Sequence, residues 1–136
     1  MKDITMTRLT RLFLLLSGLV FILIGVNTFR DPVAAMAGVE LGVQSINALN
    51  EVRANYGGMQ MGIGLLLVSA ALMTWLTRPA LLALSLVTGG LVVGRLMSIM
   101  IDGTPNSTVQ ALLGLEFFTT AIAIFLFTQQ PNSKMV

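Results

Sequence analysis

The sequence predicts an all-α integral membrane four-helix bundle, with the N-terminus and C-terminus cytoplasmic and a short periplasmic interfacial helix between helices 1 and 2. Three observations carry that expectation. Hydrophobic residues make up 55% of the 136-residue chain. Only 10% of residues are charged, where soluble domains carry about a quarter. The apolar residues also gather into four runs of about 20 residues, the length that crosses roughly 30 Å of hydrocarbon.

The first span covers 12–29 and follows Lys2, Arg8 and Arg11. A cleaved signal peptide also begins with basic residues and an apolar run. This run is long, however, and the nearest small-x-small site, Ala35-Met36-Ala37, lies beyond Arg30-Asp31-Pro32. A retained helix is therefore expected. The second span, 55–76, closes on Trp75-Leu76, and Thr77-Arg78-Pro79 breaks it from a third at 80–101. Asp102-Gly103-Thr104-Pro105-Asn106 has the composition of a tight turn, and the fourth span follows at 107–127. Residues 1–136 thus read as one transmembrane domain.

Orientation follows from the basic residues. An inside N-terminus places Lys2, Arg8, Arg11, Arg78 and Lys134 on the cytoplasmic side, leaving Arg30 and Arg53 outside and Arg95 within the third span. Trp75 then sits at the inner interface, a common place for an indole. The long connection, 30–54, lies outside. There Asp31-Pro32 has the form of a helix start, with Asp at the N-cap and Pro in the first turn. The stretch 33–49 reads either as a short helix at the interface or over the bundle mouth, or as a partly ordered loop.

Composition excludes several chemistries. The chain has no Cys and no His, so thiol redox work, disulfides, zinc sites and His-ligated haem cannot be built from it alone. Its nine Met read as packing filler. A net charge of +2 without a basic patch argues against nucleic acid as a partner. The glycines at 57, 58, 62 and 64 lack the strand–turn–helix context and the Lys of a phosphate loop. No catalytic residue, metal site or cofactor is assigned, and an enzyme is not expected.

Between helices in lipid, close contact relies on small residues and hydrogen bonds. On a wheel of about 100° per residue, Glu51, Asn55, Gly58, Gly62 and Ser69 share one stripe of the second span. Arg53, Gly57, Gln60 and Gly64 share another, roughly opposite, which predicts a central helix with partners on both sides. In the first span Arg11, Gly18 and Gly25 repeat every seven residues. Gly90 and Gly94 form a small-xxx-small pair in the third, beside Thr88, Arg95 and Asp102. In the fourth, Thr119, Thr120 and Ala123 flank Glu116, with Phe118, Ile122 and Phe125 pointing toward lipid. Intramolecular packing accounts for these glycines most simply; a dimer interface is the other reading.

Ionisable groups inside a span are expensive unless paired. Arg95 lies about 10 Å below the outer turn and Glu116 about 13 Å below the same side at 1.5 Å per residue, so an ion pair between them is expected. Glu51, Arg53, Asn55, Tyr56, Gln60 and Asp102 belong to the same outer half, whereas the inner half is plain Leu, Val and Ala. A hydrogen-bonded network that fixes the helix arrangement explains such a cluster. So does a polar binding pocket, and the number of groups, more than one ion pair needs, favours the pocket.

At Asn50-Glu51-Val52-Arg53-Ala54-Asn55-Tyr56-Gly57-Gly58, then Gly62-Ile63-Gly64, the chain resembles an uncharacterised bacterial family of small four-helix inner-membrane proteins, a domain of unknown function. The Gly94-Arg95 step, the Asp102-Gly103-x-Pro105 turn and the Leu115-Glu116 step are similar to it too, and the general layout resembles the DoxX-like group. The resemblance implies a multi-pass protein of the bacterial inner membrane and brings no substrate. The expected role is a non-enzymatic binder of an amphipathic ligand, lipid or quinone-like, or an accessory subunit of a membrane assembly, with membrane lipids and a homo-oligomer or larger complex as partners. A small proton-coupled transporter using Glu116 is the alternative. A subunit of a quinone-linked redox complex is a second, resting on fold analogy alone.

Overall fold

In the computed structural model the described residues are 2–130, with side chains from Thr7 onward. Lys134 and the side chain of Lys2, both counted toward the cytoplasmic charge, lie outside them. All regular structure among the described residues is helical. Three helices are long and apolar enough to cross a membrane: Thr7–Arg30, Thr74–Asp102 and Ser107–Gln129. The chain forms two compact units, Met1–Thr74 and Trp75–Val136.

The first unit opens with α1 (Lys2–Arg30), whose apolar run extends as predicted. Asp31 then caps α2 (Pro32–Ala37), its Oδ1 accepting from the Ala34 amide at 3.0 Å. That is the helix start expected of Asp31-Pro32, although the helix itself is only six residues long. The chain leaves α2 through paired bonds, Leu41 N–H to the Met36 carbonyl and Glu40 N–H to the Ala37 carbonyl. This is the helix-ending pattern that usually places glycine in the left-handed region; here Glu40 takes it, with φ 57°. After an irregular stretch, Ser45 caps α3 (Ile46–Glu51) by accepting from the Ala48 amide.

From α3 the backbone stays helical through a π-helical stretch, Val52–Gly58, into α4 (Met59–Leu72). The predicted second span therefore is not one regular α-helix, and it ends at Leu72 rather than at Trp75-Leu76. Met73, with φ −111° and ψ 106°, makes the break. Thr77-Arg78-Pro79 does not, because α5 (Thr74–Asp102) already includes it. Pro79 is only the sixth residue of α5. So near a helix start its missing N–H removes a single bond, the one toward the Trp75 carbonyl, and its fixed φ already suits the helix.

Within the first unit, α1 runs antiparallel to the π-helical stretch and α4, and glycines set the approach. A Cβ on Gly18 would stand 2.8 Å from the Gly64 carbonyl oxygen, and one on Gly25 2.7 Å from that of Gly57. The seven-residue repeat in α1 thus meets the same repeat in its partner. Thr10, Leu14 and Thr28 on α1 and Leu67 and Ala70 on α4 are buried as well.

In the second unit α5 ends on Asp102, with Gly103 in the positive-φ region at 97° and its N–H on the Ile99 carbonyl. Asn106 then caps α6 (Ser107–Gln129), accepting from the Val109 amide at 3.0 Å. The turn and the start of α6 fall where the sequence places them. The two helices are linked through side chains at three levels: Arg78 over the Phe127 ring at 5.0 Å, Thr88 with Thr120, and Arg95 with Glu116. Phe118, Ile122 and Phe125 are exposed, as expected of lipid-facing positions.

Candidate functional site

The predicted polar residues fall into two groups, one in each unit. In the first unit, Glu51, Arg53, Asn55, Tyr56 and Gln60 lie on or beside the π-helical stretch. There the Asn55 side-chain amide donates to the Glu51 carbonyl at 3.2 Å and to the Glu51 carboxylate at 2.8 Å. An α-helical Asn55 would send its backbone N–H to that same carbonyl. In a π-turn the backbone N–H instead reaches one residue further back, five rather than four. At the other end the Met59 N–H bonds the Ala54 carbonyl, five residues back. Sequence offers no signature for such a turn beyond a side-chain amide followed by the permissive pair Gly57-Gly58. Single π-turns inside helices recur at functional sites.

Arg53 has a role that sequence reasoning missed. Its Nε donates to the carbonyl of Phe29 at 3.1 Å. That carbonyl belongs to the last turn of α1, where carbonyls lack intrahelical partners and the helix dipole favours a cation. The guanidinium thus fastens the π-helical stretch to the end of α1. Arg53→Leu is expected to lower stability by about 1–2 kcal/mol, the scale of one charge-assisted bond and a favourable dipole contact. Thermal unfolding in detergent checks it, and Arg53→Lys should recover only part of the loss, since it keeps the charge without the planar Nε donor.

The remaining members of this group are unpaired. Tyr56 is 46% exposed, and its hydroxyl has no hydrogen-bond partner among the described residues. Gln60 has a buried side-chain oxygen without a partner. A buried amide oxygen left so costs roughly 1–3 kcal/mol.

In the second unit the expected ion pair is present and bidentate. Arg95 Nε donates to Glu116 Oε2 at 2.7 Å and Nη2 to Oε1 at 2.9 Å. The Arg95 side chain is 25% exposed and that of Glu116 12%, so neither charge is left uncompensated out of solvent. One turn along α6, Thr120 donates to Thr88 at 2.7 Å, because Thr88 gives its own proton to the Leu84 carbonyl. Thr120 also lies 2.7 Å from the Glu116 carbonyl. Asp102 ends α5 and accepts from Ser98 at 3.0 Å; it does not take part in the ion pair.

Of the glycines singled out for packing, Gly18, Gly25, Gly57 and Gly64 lie in close contact. A Cβ on Gly62, Gly90 or Gly94 would meet nothing within 4 Å, and one on Gly58 only the Arg53 carbonyl at 3.8 Å. The glycine of α5 that approaches α6 is Gly89, where a Cβ would stand 3.4 Å from the Thr120 methyl. No group of His, Cys, Asp and Glu among the described residues could hold a metal ion.

With this geometry in view, the chain can be compared with known proteins. A family model described as Domain of unknown function (DUF4345) matches residues 9–127, and the chain belongs to that family. No curated protein and no solved structure matches it.

Proposed function

We propose that this member of the DUF4345 family is a multi-pass protein of the bacterial cytoplasmic membrane that binds an amphipathic ligand without catalysing a reaction. Four passes are read as α1, the continuous helical stretch 46–72, α5 and α6. The part of the second pass from Val52 to Leu72 has 21 residues, enough for about 30 Å at 1.5 Å per residue. The helices that qualify by length bury only 17–33% of their apolar windows. Leu16, Leu23, Leu86, Met100, Phe117 and Phe118 are among the side chains left exposed, an apolar surface that suits lipid rather than water. Both termini lie on the cytoplasmic side, α2 at the outer interface, and the bacterial location follows the family likeness read from the sequence.

One observation carries the binding reading. The Val52–Gly58 part of the motif winds as a π-helix, and Gln60, two residues beyond it, carries a buried, unpartnered amide oxygen. In hydrocarbon an unpaired polar group is costly, so a group there that nothing in the chain satisfies is a candidate for satisfaction by a ligand. Membrane lipids are the partners at hand, and assembly into a homo-oligomer or larger complex is compatible with the exposed Gly62, Gly90 and Gly94 faces.

The test is native mass spectrometry of the full chain released from nanodiscs of total bacterial lipid, beside a Tyr56→Ala/Gln60→Ala variant. A discrete bound mass in the wild type, lost in the folded variant, is the expected result. Bare protein in both samples removes the proposal.

A further inference from the structure

Arg53 uses only its Nε on the Phe29 carbonyl. Its two Nη groups make no hydrogen bond or ion pair among the described residues. The residue is partly buried, so it carries a charge out of full solvent with no carboxylate against it. In the other unit Arg95, also partly buried, is treated differently: Glu116 meets it through two bonds. A partly buried cation ordinarily finds a counter-charge, and for Arg53 the chain supplies none.

Arg30 brings a second cation to the same end of α1. It directly follows Phe29, so covalent geometry holds the Arg30 backbone nitrogen within about 6 Å of Arg53 Nε. Its side chain is exposed and has no partner among the described residues, and it is long enough to bring its guanidinium beside that of Arg53. The acidic residues nearest in sequence are engaged locally. Asp31 accepts from the Ala34 amide, and Glu51 accepts from Asn55, two residues from Arg53 at a spacing that does not face it. Arg30 also closes the apolar run of α1, which is head-group depth in a bilayer. Counting back from it by helical spacing, Val26, Leu23 and Leu19 share its face and are 36%, 61% and 50% exposed.

We infer that Arg53 and Arg30 hold the phosphodiester of a phospholipid, whose acyl chain lies along Val26, Leu23 and Leu19. The Nη donors of Arg53 take the phosphate oxygens, as planar guanidinium groups commonly do, and Arg30 closes over the same anion. With Asp31 and Glu51 nearby, a single phosphodiester charge suits the site better than a multiply charged head group. The inference needs the membrane placement proposed above and is independent of the Gln60 oxygen.

The experiment uses the full chain in dodecyl maltoside micelles, titrated with dioleoylphosphatidylglycerol or with dioleoylglycerol, which has the same acyl chains and no phosphate. Bound mass is read by native mass spectrometry. The phospholipid should bind at least about tenfold more tightly, the factor of one charge-assisted bond. Arg53→Gln should remove most of that preference, and Arg30→Gln should reduce it about fivefold, the upper end for an exposed charge pair. Neither change should alter dioleoylglycerol binding. Arg8→Gln/Arg11→Gln, at the opposite end of α1, is the control and should keep the full preference. Equal binding of the two lipids, an unchanged preference in both arginine variants, or an equal loss in the control overturns the inference. Excess inorganic phosphate at constant ionic strength separates the sources: a lipid that stays bound supports the phospholipid, and full displacement overturns the lipid assignment in favour of free phosphate. If Arg53→Gln does not fold, Arg30→Gln, which breaks no contact, decides the matter. Bound mass from total bacterial lipid that is lost in Tyr56→Ala/Gln60→Ala remains the separate test of the broader reading, so either can fail alone.

Discussion

Gly64→Leu is expected to leave the first unit unable to fold, and Gly64→Ala to destabilise it by about 2–3 kcal/mol, the upper range for overpacking a tight contact. A Cβ at this position would stand 2.6 Å from Ile22 Cγ1, 2.7 Å from the Gly18 carbonyl oxygen and 2.8 Å from the Ile22 amide nitrogen. Two of those three atoms are backbone, so no rotamer change relieves the clash and the helices must separate. Separation also lengthens the matching contact between Gly25 and Gly57, because all four glycines lie on one seam. Gly62→Ala provides the contrast. Gly62 is on the same helix, two residues away, yet its Cβ would meet nothing within 4 Å. There the change should be neutral or add up to about 1 kcal/mol, the difference in helix propensity between Ala and Gly. Thermal unfolding of both variants in one detergent is the measurement. If Gly64→Ala unfolds at the wild-type temperature, the two helices do not cross on these glycines.

What the sequence made legible divides along physical lines. Features enforced by local chemistry were readable: Asp31 as a helix cap, the turn from Asp102 to Asn106 with Gly103 in it, and the seven-residue repeat of Gly18 and Gly25. Arg95 and Glu116 were readable too, because a charge in an apolar run must find its opposite and the register places them at one depth. The π-helical stretch was not. A wheel of fixed pitch assumes that every turn is an α-turn, and the amide of Asn55, which bonds back to Glu51 there, resembles any other Asn in the sequence. Arg53 escaped for a different reason. Its partner is a backbone carbonyl 24 residues away, and a main-chain acceptor leaves no trace in residue identity. The break at Met73 was hidden by Pro79, since a breaker in the interior of a helix is harmless near its start. Among the glycines of α5, spacing favoured Gly90 and Gly94, whereas the face toward α6 is set by Thr88 and Arg95 and brings Gly89 with it.

Arg95→Glu is expected to destabilise the second unit by about 3–5 kcal/mol, the usual cost of removing one partner from a buried pair, with like-charge repulsion added. Glu116→Arg should cost a similar amount, and the exchanged pair Arg95→Glu/Glu116→Arg should recover most of the loss. Recovery will be incomplete, because the exchanged arginine projects from α6 and must rebuild the bidentate geometry of 2.7 and 2.9 Å from the opposite side. Absence of any rescue in thermal unfolding and membrane yield would show that the two charges do not act as a pair. A second substitution separates a structural lock from a functional charge. In Arg95→Met/Glu116→Leu, apolar side chains of similar volume replace both ions, a change that in other proteins is often neutral or stabilising. If the pair only fastens α5 to α6, this variant should fold at least as well as the wild type and retain the bound mass carried by Tyr56 and Gln60. A variant that folds and loses that mass would instead make the ion pair part of the binding machinery. The glycine seam of the first unit has no such substitute, since the contact there is between backbones.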